Sequence, residues 1–381
     1  MKKIILLAVC CILSIGLFAR TITVTSSANS GTGSLREAIT SANANDTIVF
    51  ANNITTVYFA GVIIIDRNIT INGNETNNTI FRNATTWTDN VNQRRYFLIS
   101  ENAEVVLNHL TLTGNQGNCA GGAISNSGKL TLNSCVFDNN RAQSTGGAIS
   151  NRNILIVNNS VFNNNHAGNN GGAIDHFGVL LEIRNSQFNQ NTSGNQGGAI
   201  AVGTTVNSVS HYATIENSIF DGNFSPNGGA ILNHRGQVVI KSCIFQRNRA
   251  SWGGGAVINR SQMDINSSTF IQNQGNSGAG AFSNANNAVV TLNNSLFANN
   301  TSASFAGTIE SFGELTLINS TIADNTGGVA GINILGNTTI LQNTILWTIS
   351  KEMCNNQVVE PLTLSTALSA QAISIYRVME I

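Results

Sequence analysis

A repeat of about 25 residues limits the fold of this chain more than any other feature of its sequence. One marker of the repeat is a Phe, or an aliphatic substitute, with Asn three residues later, and the other is Gly-Gly-Ala-Ile or a close variant. The first marker begins at Leu112, Phe137, Phe162, Phe188, Phe220, Phe245, Phe270, Phe297 and Ile322. The second marker occupies 121–124, 146–149, 171–174, 197–200 and 228–231, and in degraded form 254–257, 279–282 and 306–309. Because each Phe precedes the third position of the next second marker by 10 or 11 residues, both markers belong to one structural unit.

An alternating segment precedes each Phe. The positions seven and five residues before it are apolar and are flanked by polar residues, as in Leu130 and Leu132. This alternation is typical of a strand with one buried face. One such unit cannot bury its own apolar face, whereas stacked units can. The sequence therefore predicts an all-β fold, a right-handed parallel β-helix with about 25 residues per turn.

Equivalent residues of stacked turns lie above one another in columns. The Phe column is expected to form an internal aromatic ladder. The Asn column after it is expected at a turn, where Asn tolerates left-handed backbone and its amide can bond to the Asn above. A second column follows Gly-Gly-Ala by three residues and contains Asn126, Asn151, His176, Val202, Asn233, Asn259, Asn284 and Ser311. The glycine pairs are expected at a corner that needs φ > 0 or close backbone approach.

The N-terminal residues predict export. Lys2 and Lys3 give a positive start, residues 4–18 form an apolar run too short to span a bilayer comfortably, and Ala19 has the small side chain expected before a cleavage site. No later segment is long and apolar enough for a transmembrane helix. We assign a signal peptide to 1–19, an N-terminal cap and first turns to 20–109, β-helix repeats to 110–347, and an irregular tail to 348–381.

The two markers resemble the GGA[ILV] and FxxN motifs of the chlamydial-type polymorphic outer membrane protein repeats, over about residues 110–335. Members of that family are surface-displayed right-handed β-helices, and many of them are adhesins carried by an autotransporter. The resemblance implies the fold and the surface display for this chain, but not the autotransporter function. Upstream, residues 33–39 (GSLREAI) and 43–50 are similar to the SLREA segment that opens many bacterial β-helix surface proteins. We expect residues 35–42 to form a short amphipathic capping helix over the open first turn, followed by a strand.

Composition disfavours several classes of protein. A formal net charge of zero with only 10% charged residues provides no basic excess for nucleic-acid binding. A hydrophobic content of 41% argues against disorder. The spacing of Cys119, Cys135, Cys243 and Cys354 matches no zinc site. Cys135 and Cys243 occupy a column of small residues four turns apart, so we predict that they are buried and cannot bond each other.

The sequence predicts no catalytic, cofactor-binding or metal-binding residues. Parallel β-helices also include pectate lyases and polygalacturonases, which need clustered carboxylates. Asp138 and Asp221 share a column but are three turns apart, which is roughly 14 Å, whereas paired glycosidase carboxylates need roughly 5–9.5 Å. Asp264 and Glu182 are also three turns apart in their column. We therefore interpret these carboxylates as solvated groups on strand faces.

One column combines charges of opposite sign. Arg184, Glu216 and Lys241 lie four residues before their Phe on consecutive turns, which predicts an alternating-charge ladder on an exposed face. His176 replaces an Asn in the second Asn column, and we interpret it as a structural substitute and not as a metal ligand.

Two irregular stretches provide the candidate binding residues. The 32-residue step between Phe188 and Phe220 contains about six extra residues, so 202–212 is expected to protrude as a loop. A second loop is expected at 83–96. The candidate binding residues on these loops are His211, Tyr212, Trp87, Arg94 and Arg95.

The sequence favours a non-enzymatic, adhesin-like module that is secreted or displayed at the cell surface, in association with the outer membrane. It is expected to be a monomer that needs no cofactor and binds a host-cell receptor or glycan through many weak contacts along a rigid, amide-rich face. One alternative is a polysaccharide lyase or glycoside hydrolase of the pectin-lyase-like type. A second alternative is a truncated autotransporter passenger without an activity of its own.

Overall fold

The computed structural model describes residues 19–83, 94–204, 210–303, 307–327, 331–336, 338–348 and 368–369. Their strands form four sheets, numbered here in the order in which a repeat passes through them before it returns to sheet 1 one turn further on. Consecutive turns pair in parallel and in register, as for Phe137 and Phe162. The predicted parallel β-solenoid is therefore confirmed, with about 12 turns of roughly 25 residues. The predicted signal peptide lies outside the described residues except for Ala19.

Sheets 1 and 2 contain the longest strands. Sheet 1 has 14 strands in the described residues: Thr21–Val24, Asp46–Phe50, Ile69–Asn72, Glu104–Asn108, Lys129–Asn133, Ile154–Asn158, Leu180–Arg184, His211–Glu216, Gly236–Lys241, Gln262–Asn266, Val289–Asn293, Glu314–Ile318, Thr338–Gln342 and Leu368–Ser369. Sheet 2 has 12 strands in this part of the chain: Thr56–Phe59, Thr79–Asn83, Leu110–Thr113, Val136–Asp138, Val161–Asn163, Gln187–Asn189, Ile219–Asp221, Ile244–Gln246, Thr269–Ile271, Leu296–Ala298, Thr321–Asn325 and Ile345–Thr348. Leu368–Ser369 pairs antiparallel with Thr338–Gln342, whereas the other neighbouring strands of sheet 1 are parallel.

Sheets 3 and 4 are built from shorter strands. Sheet 3 has 8 described strands: Gln116–Gly117, Arg141–Ala142, His166–Ala167, Thr192–Ser193, Phe224–Asn227, Arg249–Trp252, Gln274–Gly275 and Thr301–Ser302. Sheet 4 has 11 described strands: Ile63–Ile65, Phe97–Ile99, Ile124–Asn126, Ile149–Asn151, Ile174–His176, Ile200–Val202, Ile231–Asn233, Val257–Asn259, Phe282–Asn284, Ile309–Ser311 and Ile332–Ile334. The Ile that ends each Gly-Gly-Ala-Ile marker is therefore the first residue of a sheet 4 strand.

The Phe column of sheet 2 forms the predicted aromatic ladder. The rings from Phe137 to Phe297 stack at centroid separations of 4.5–4.9 Å with interplanar angles of 2–8°. Each of these rings is fully buried, which stabilises the fold by roughly 1.5–3 kcal/mol per side chain. Leu112 and Ile322 continue the column at either end of the ladder. The aromatic ladder predicted from the sequence is confirmed.

Left-handed single residues bend the chain on both sides of the sheet 2 strands from Val136–Asp138 to Thr321–Asn325. They have φ of 49–64° and lie three residues before or two residues after the Phe. The first group is Ser134, Asn159, Asn185, Asn217, Ser242, Ser267, Asn294 and Asn319, and the second is Asn139, Asn164, Gln190, Gly222, Arg247, Gln272, Asn299 and Asp324. The expectation that the ladder Asn itself is left-handed is wrong, because the left-handed residue directly precedes it. This bend turns the ladder Asn inward, where its amide can reach the next turn.

The glycine pairs lie at the corner before sheet 4. Gly146 has φ +64°, and a Cβ on Gly147 would lie 2.0 Å from the carbonyl oxygen of Gly172 in the next turn. Both reasons expected for glycine at this corner are therefore confirmed, left-handed backbone at the first position and close stacking at the second.

A single helix, Leu35–Ser41, precedes the repeats in the described residues and ends one residue before the predicted limit. The Ser34 hydroxyl caps its N-terminus by accepting from the Glu37 amide at 3.2 Å. Leu35, Ala38 and Ile39 form its buried face, so the helix is amphipathic as predicted. That it acts as a cap over the first turn stays a prediction, as does the right-handed sense of winding.

Candidate functional site

The asparagines of the repeated Phe marker lie inside the solenoid. Asn140, Asn165, Asn191, Asn223, Asn248, Asn273, Asn300 and Asn325 are at most 1% exposed. Asn223 is typical, since its Nδ2 donates to Asn248 Oδ1 and to the Phe188 carbonyl, both at 2.9 Å. Its Oδ1 accepts from the backbone amide and the Nδ2 of Asn191, at 2.9 and 3.1 Å. These amides satisfy one another, so a ligand-binding face must be built from other, outward-facing columns.

The second Asn column is also internal and is interrupted where His176 and Val202 replace the amide. Asn126 Nδ2 donates to Asn151 Oδ1 at 2.6 Å, and Asn151 Nδ2 donates to His176 Nδ1 at 2.8 Å. His176 is fully buried, and burial lowers its pKa to about 3. The ring is therefore neutral and accepts at Nδ1, which agrees with the structural role predicted for it.

His211 lies on the inward side of strand His211–Glu216 and is only 2% exposed. Its Nδ1 lies 2.8 Å from the Gly178 carbonyl oxygen and must donate to it. Where the second Asn column holds an asparagine, its side-chain amide donates to the backbone carbonyl two residues later, as Asn126 does to Gly128. The His211 ring thus replaces the amide that is missing at His176.

The insertion is shorter than the sequence predicts, because strands extend to Val202 on one side and begin at His211 on the other. The placement of His211 on a protruding loop is therefore wrong, and its ring packs inside the solenoid. The alternation could have shown this, because His211 lies nine residues before Phe220 and so is in phase with the inward positions seven and five residues before it. Tyr212, the next residue, points outward and is 45% exposed.

The outward face around Tyr212 forms a surface recess of about 310 Å³, named here the Tyr212 recess. It is lined by Ser210, His211, Tyr212, Arg235, Gln237, Ser261 and Gln262. Tyr212, Gln237 and Gln262 are paired in register on three successive turns of sheet 1. Gln237 Nε2 donates to Gln262 Oε1 at 2.9 Å. An aromatic ring beside two amides and one guanidinium can contact both the apolar and the hydroxyl-bearing faces of a polar ligand.

The predicted charge ladder lies on the same outer face of sheet 1. Glu216 Oε1 is 3.4 Å from Lys241 Nζ, and Glu216 Oε2 is 3.7 Å from Arg184 Nε. Arg184 also pairs with Glu182 at 2.7 Å. These side chains are 28–52% exposed, so each pair contributes little to stability, roughly 0–1 kcal/mol. The ladder leaves the face beside the Tyr212 recess close to electrically neutral.

The other candidate binding residues lie elsewhere. Trp87 is outside the described residues. Arg94 and Arg95 are half-buried beside sheet 3, where the Arg94 carbonyl accepts from Cys119 Sγ at 3.3 Å. Tyr96, at the end of the same predicted loop, is fully buried and donates its hydroxyl proton to the Thr113 carbonyl at 2.7 Å. The structure does not bring these arginines together with Tyr212, and their role in binding stays a prediction.

The carboxylates lie in the columns that the sequence predicts, but the expectation that they are solvated is wrong for Asp175, which is buried. The register puts Asp138 and Asp221 in one column, three turns apart, and Asp221 pairs with Arg247. Asp175 is 1% exposed and accepts from the Thr204 hydroxyl at 2.9 Å, and its burial raises its pKa to about 6. In the part of the chain that the structure describes, no group of three or more His, Cys, Asp or Glu side chains is placed to hold a metal ion.

Two further predictions concern the cysteines and the membrane. Cys135 and Cys243 are buried and form no disulfide, and burial raises the pKa of each thiol to about 12. They therefore act as small apolar residues, as predicted. Within the described ranges, no helix has the length and apolar character needed to cross a lipid bilayer.

Sequence reasoning missed Gln237, Gln262 and Arg235 as neighbours of Tyr212. The signal was present, because Tyr212, Gln237 and Gln262 all lie eight residues before the Phe of their repeat. The apolar positions seven and five residues before the Phe define the inner face of this strand. The position eight before it therefore points outward, and its column could have been followed from the sequence.

The fold and its two markers define a class, the parallel β-solenoids with one Phe–Asn unit and one glycine corner per turn. Within that class, residues 134–152 and 159–175 match the model of the Chlamydia polymorphic membrane protein repeat. Each segment contains both markers, so the family resemblance is confirmed for these repeats. No curated protein and no solved structure matches the chain.

Proposed function

We propose that this chain is a secreted or cell-surface binding module, adhesin-like and non-enzymatic, that presents a rigid β-solenoid for multivalent contacts. Two observations support the proposal: the match of its repeats to a family of membrane proteins, and the parallel solenoid fold, which suits a passenger displayed at the outer surface. The observation on which it chiefly rests is the Tyr212 recess, where an exposed ring and two amides lie on consecutive turns of a rigid sheet.

The partner that fits this recess is a glycan or a hydroxyl-rich receptor surface on a host cell. Tyr212 offers an apolar ring face with a polar tip, and Gln237 and Gln262 offer donors and acceptors. The turns repeat at about 4.8 Å, so neighbouring groups can engage successive parts of an extended ligand. Each contact is weak, and tight binding comes from many copies acting together on one cell surface.

The test uses the full chain, purified after export and immobilised on beads at several densities. Saturable binding of the beads to epithelial cells or to a glycan array is expected, with an apparent affinity that rises steeply with density. Tyr212→Ser should weaken binding at least fivefold. Tyr58→Ser is the matched control, because Tyr58 is 46% exposed and lies in a strand of sheet 2.

The outcomes separate the competing functions. Absence of saturable binding at every density, or equal loss from both tyrosine variants, would overturn the proposal. Release of reducing ends or unsaturated sugars from polysaccharides by the purified chain would support the lyase or hydrolase alternative. A well-folded chain with neither activity would favour the passenger without activity of its own.

A further inference from the structure

Asp46 holds a buried carboxylate at the start of the solenoid. It is 1% exposed and begins the second strand of sheet 1. Its Oδ1 accepts from the backbone nitrogen of Arg20 at 2.9 Å, and its Oδ2 accepts from the Arg20 Nε and the Asn43 amide, each at 2.8 Å. Burial alone would raise the pKa of Asp46, but the hydrogen bonds from Arg20 and Asn43 hold it below its ordinary value. The carboxylate is therefore ionised at neutral pH.

Arg20 is fixed by its backbone as well as by its side chain. Its carbonyl accepts from the Thr47 amide at 2.9 Å, and its guanidinium also donates to the Ser41 carbonyl. Strand Thr21–Val24 begins at the next residue and pairs in register with the strand of Asp46. Ala19, the residue before Arg20, is exposed, so the Ala19–Arg20 peptide bond lies at the surface.

We propose that hydrolysis of the Ala19–Arg20 bond during export makes Arg20 the first residue of the mature chain, and that its new α-ammonium group pairs with Asp46. Water adds across the peptide bond, so Ala19 leaves with a carboxylate and Arg20 keeps the nitrogen. That nitrogen takes up protons to become an ammonium. It is the same atom that already lies 2.9 Å from Asp46 Oδ1, so no rearrangement of the fold is needed.

The processing step converts a hydrogen bond between a neutral amide and a carboxylate into an ion pair between an ammonium and a carboxylate. The donor then carries a full positive charge, so a direct charge–charge attraction is added to the hydrogen bond. The other charged groups on this side are the Arg20 guanidinium and Arg67, which donates to the Ala42 carbonyl and pairs with Asp66. Asp46 is therefore the carboxylate that the new ammonium faces directly. Removal of the leader therefore adds a charge to a contact that already fixes the start of the first strand to the sheet.

The test starts with the full chain, exported under its own leader from a Gram-negative host and purified. N-terminal sequencing and intact mass should give Arg20 as the first residue. The α-amine is then acylated at pH 7 with a limiting reagent and followed by mass spectrometry. A rise of one pH unit in the titration midpoint of the amine lowers the reactive fraction about tenfold, so labelling should be at least tenfold slower in the folded chain than in urea.

Two variants keep the test decisive. Asp46→Asn should restore fast labelling of the α-amine. Because this variant can also fail to fold, a second variant inserts one glycine between Ala19 and Arg20, which moves the α-amine away from Asp46 without altering a described contact. Its amine should react at the ordinary rate. A mature chain that begins elsewhere, or an Arg20 amine that reacts as fast as the glycine-extended one, would overturn the proposal.

Discussion

Replacing one internal asparagine should destabilise the solenoid far more than replacing one on its surface. In Asn223→Ala, Asn248 Oδ1 still accepts from the residue 223 backbone amide at 3.0 Å. The backbone amide and one Nδ2 proton of Asn191, however, both lose Asn223 Oδ1, and the Phe188 carbonyl loses a donor. Water cannot reach these groups, because Asn191 and Phe188 are fully buried.

The size of the effect follows from the two donors of Asn191 that are left without an acceptor. A buried donor left without an acceptor costs roughly 1–3 kcal/mol, so the two donors of Asn191 together cost roughly 2–6 kcal/mol. A domain has a total stability of roughly 5–15 kcal/mol, so the loss is a large fraction of the whole. Asn189→Ala provides the comparison, because Asn189 is half-exposed and its amide donates only to Asn163 Oδ1, at 2.9 Å. There water replaces the lost partner, and the cost should stay below about 1 kcal/mol.

The measurement is urea unfolding of both variants and the parent chain, followed by circular dichroism of the β-sheet signal. Asn223→Ala should lower the unfolding midpoint clearly, and Asn189→Ala should hardly change it. If the two variants unfold at the same urea concentration, the internal amides do not stabilise the stack and the account of the ladder is wrong.

Three further predictions concern a glycine corner and the pH dependence of stability. Gly172→Ala should destabilise the fold strongly in thermal melts, because its Cβ would lie 2.0 Å from the Gly198 carbonyl oxygen. Gly222→Asn is the control and should be tolerated, because its column holds Asn on other turns and its Cβ would meet no atom nearer than 3.6 Å. Burial raises the pKa of Asp175 from 3.8 to about 6, so the folded state holds its proton more tightly and stability should fall as pH rises from about 4 to about 6. Asp175→Asn should remove this fall, which amounts to roughly 3 kcal/mol at about 1.4 kcal/mol per pH unit. The measurement is the difference between the urea midpoints of the parent and the variant at each pH. The same difference at pH 4 and at pH 7 would contradict the prediction. His176 has the opposite sign, since its pKa falls from 6.5 to about 3, so stability should be lost as pH falls below 6.5, and His176→Asn should abolish that loss.

The sequence specifies the repeating part of the fold because its markers recur in fixed phase. A Phe every 25 residues with an alternating segment before it can be buried only if turns stack in register, and Phe137 does pair with Phe162. The charge ladder of Arg184, Glu216 and Lys241 could be placed for the same reason, since the period fixes which side chains become neighbours.

Features that are not periodic were harder to predict. The left-handed bend after the Phe contains residues as different as Asn139, Gly222 and Arg247, so no residue type marks it in the sequence. The left-handed conformation was therefore expected at the recurring Asn directly after the bend. His211 was placed on a loop because the 32-residue step does not reveal where the extra residues begin and end. The role of its ring depends on the missing amide at His176, a coupling between residues 35 positions apart that no local pattern contains.

The nearest-neighbour bonding of the turns also bears on how such a chain can change over generations. Every turn contacts the turn before it and the turn after it, and equivalent positions pair one to one. A duplication or deletion of one whole repeat, for example residues 138–162, would join positions that already occupy the same columns, because Asp138 pairs with Asn163. An insertion or deletion of a single residue within a strand would instead turn the side chains that follow it in that strand to the opposite face. Length is therefore free to vary in heritable steps of one full turn, whereas smaller insertions are accommodated between strands, as between Val202 and His211.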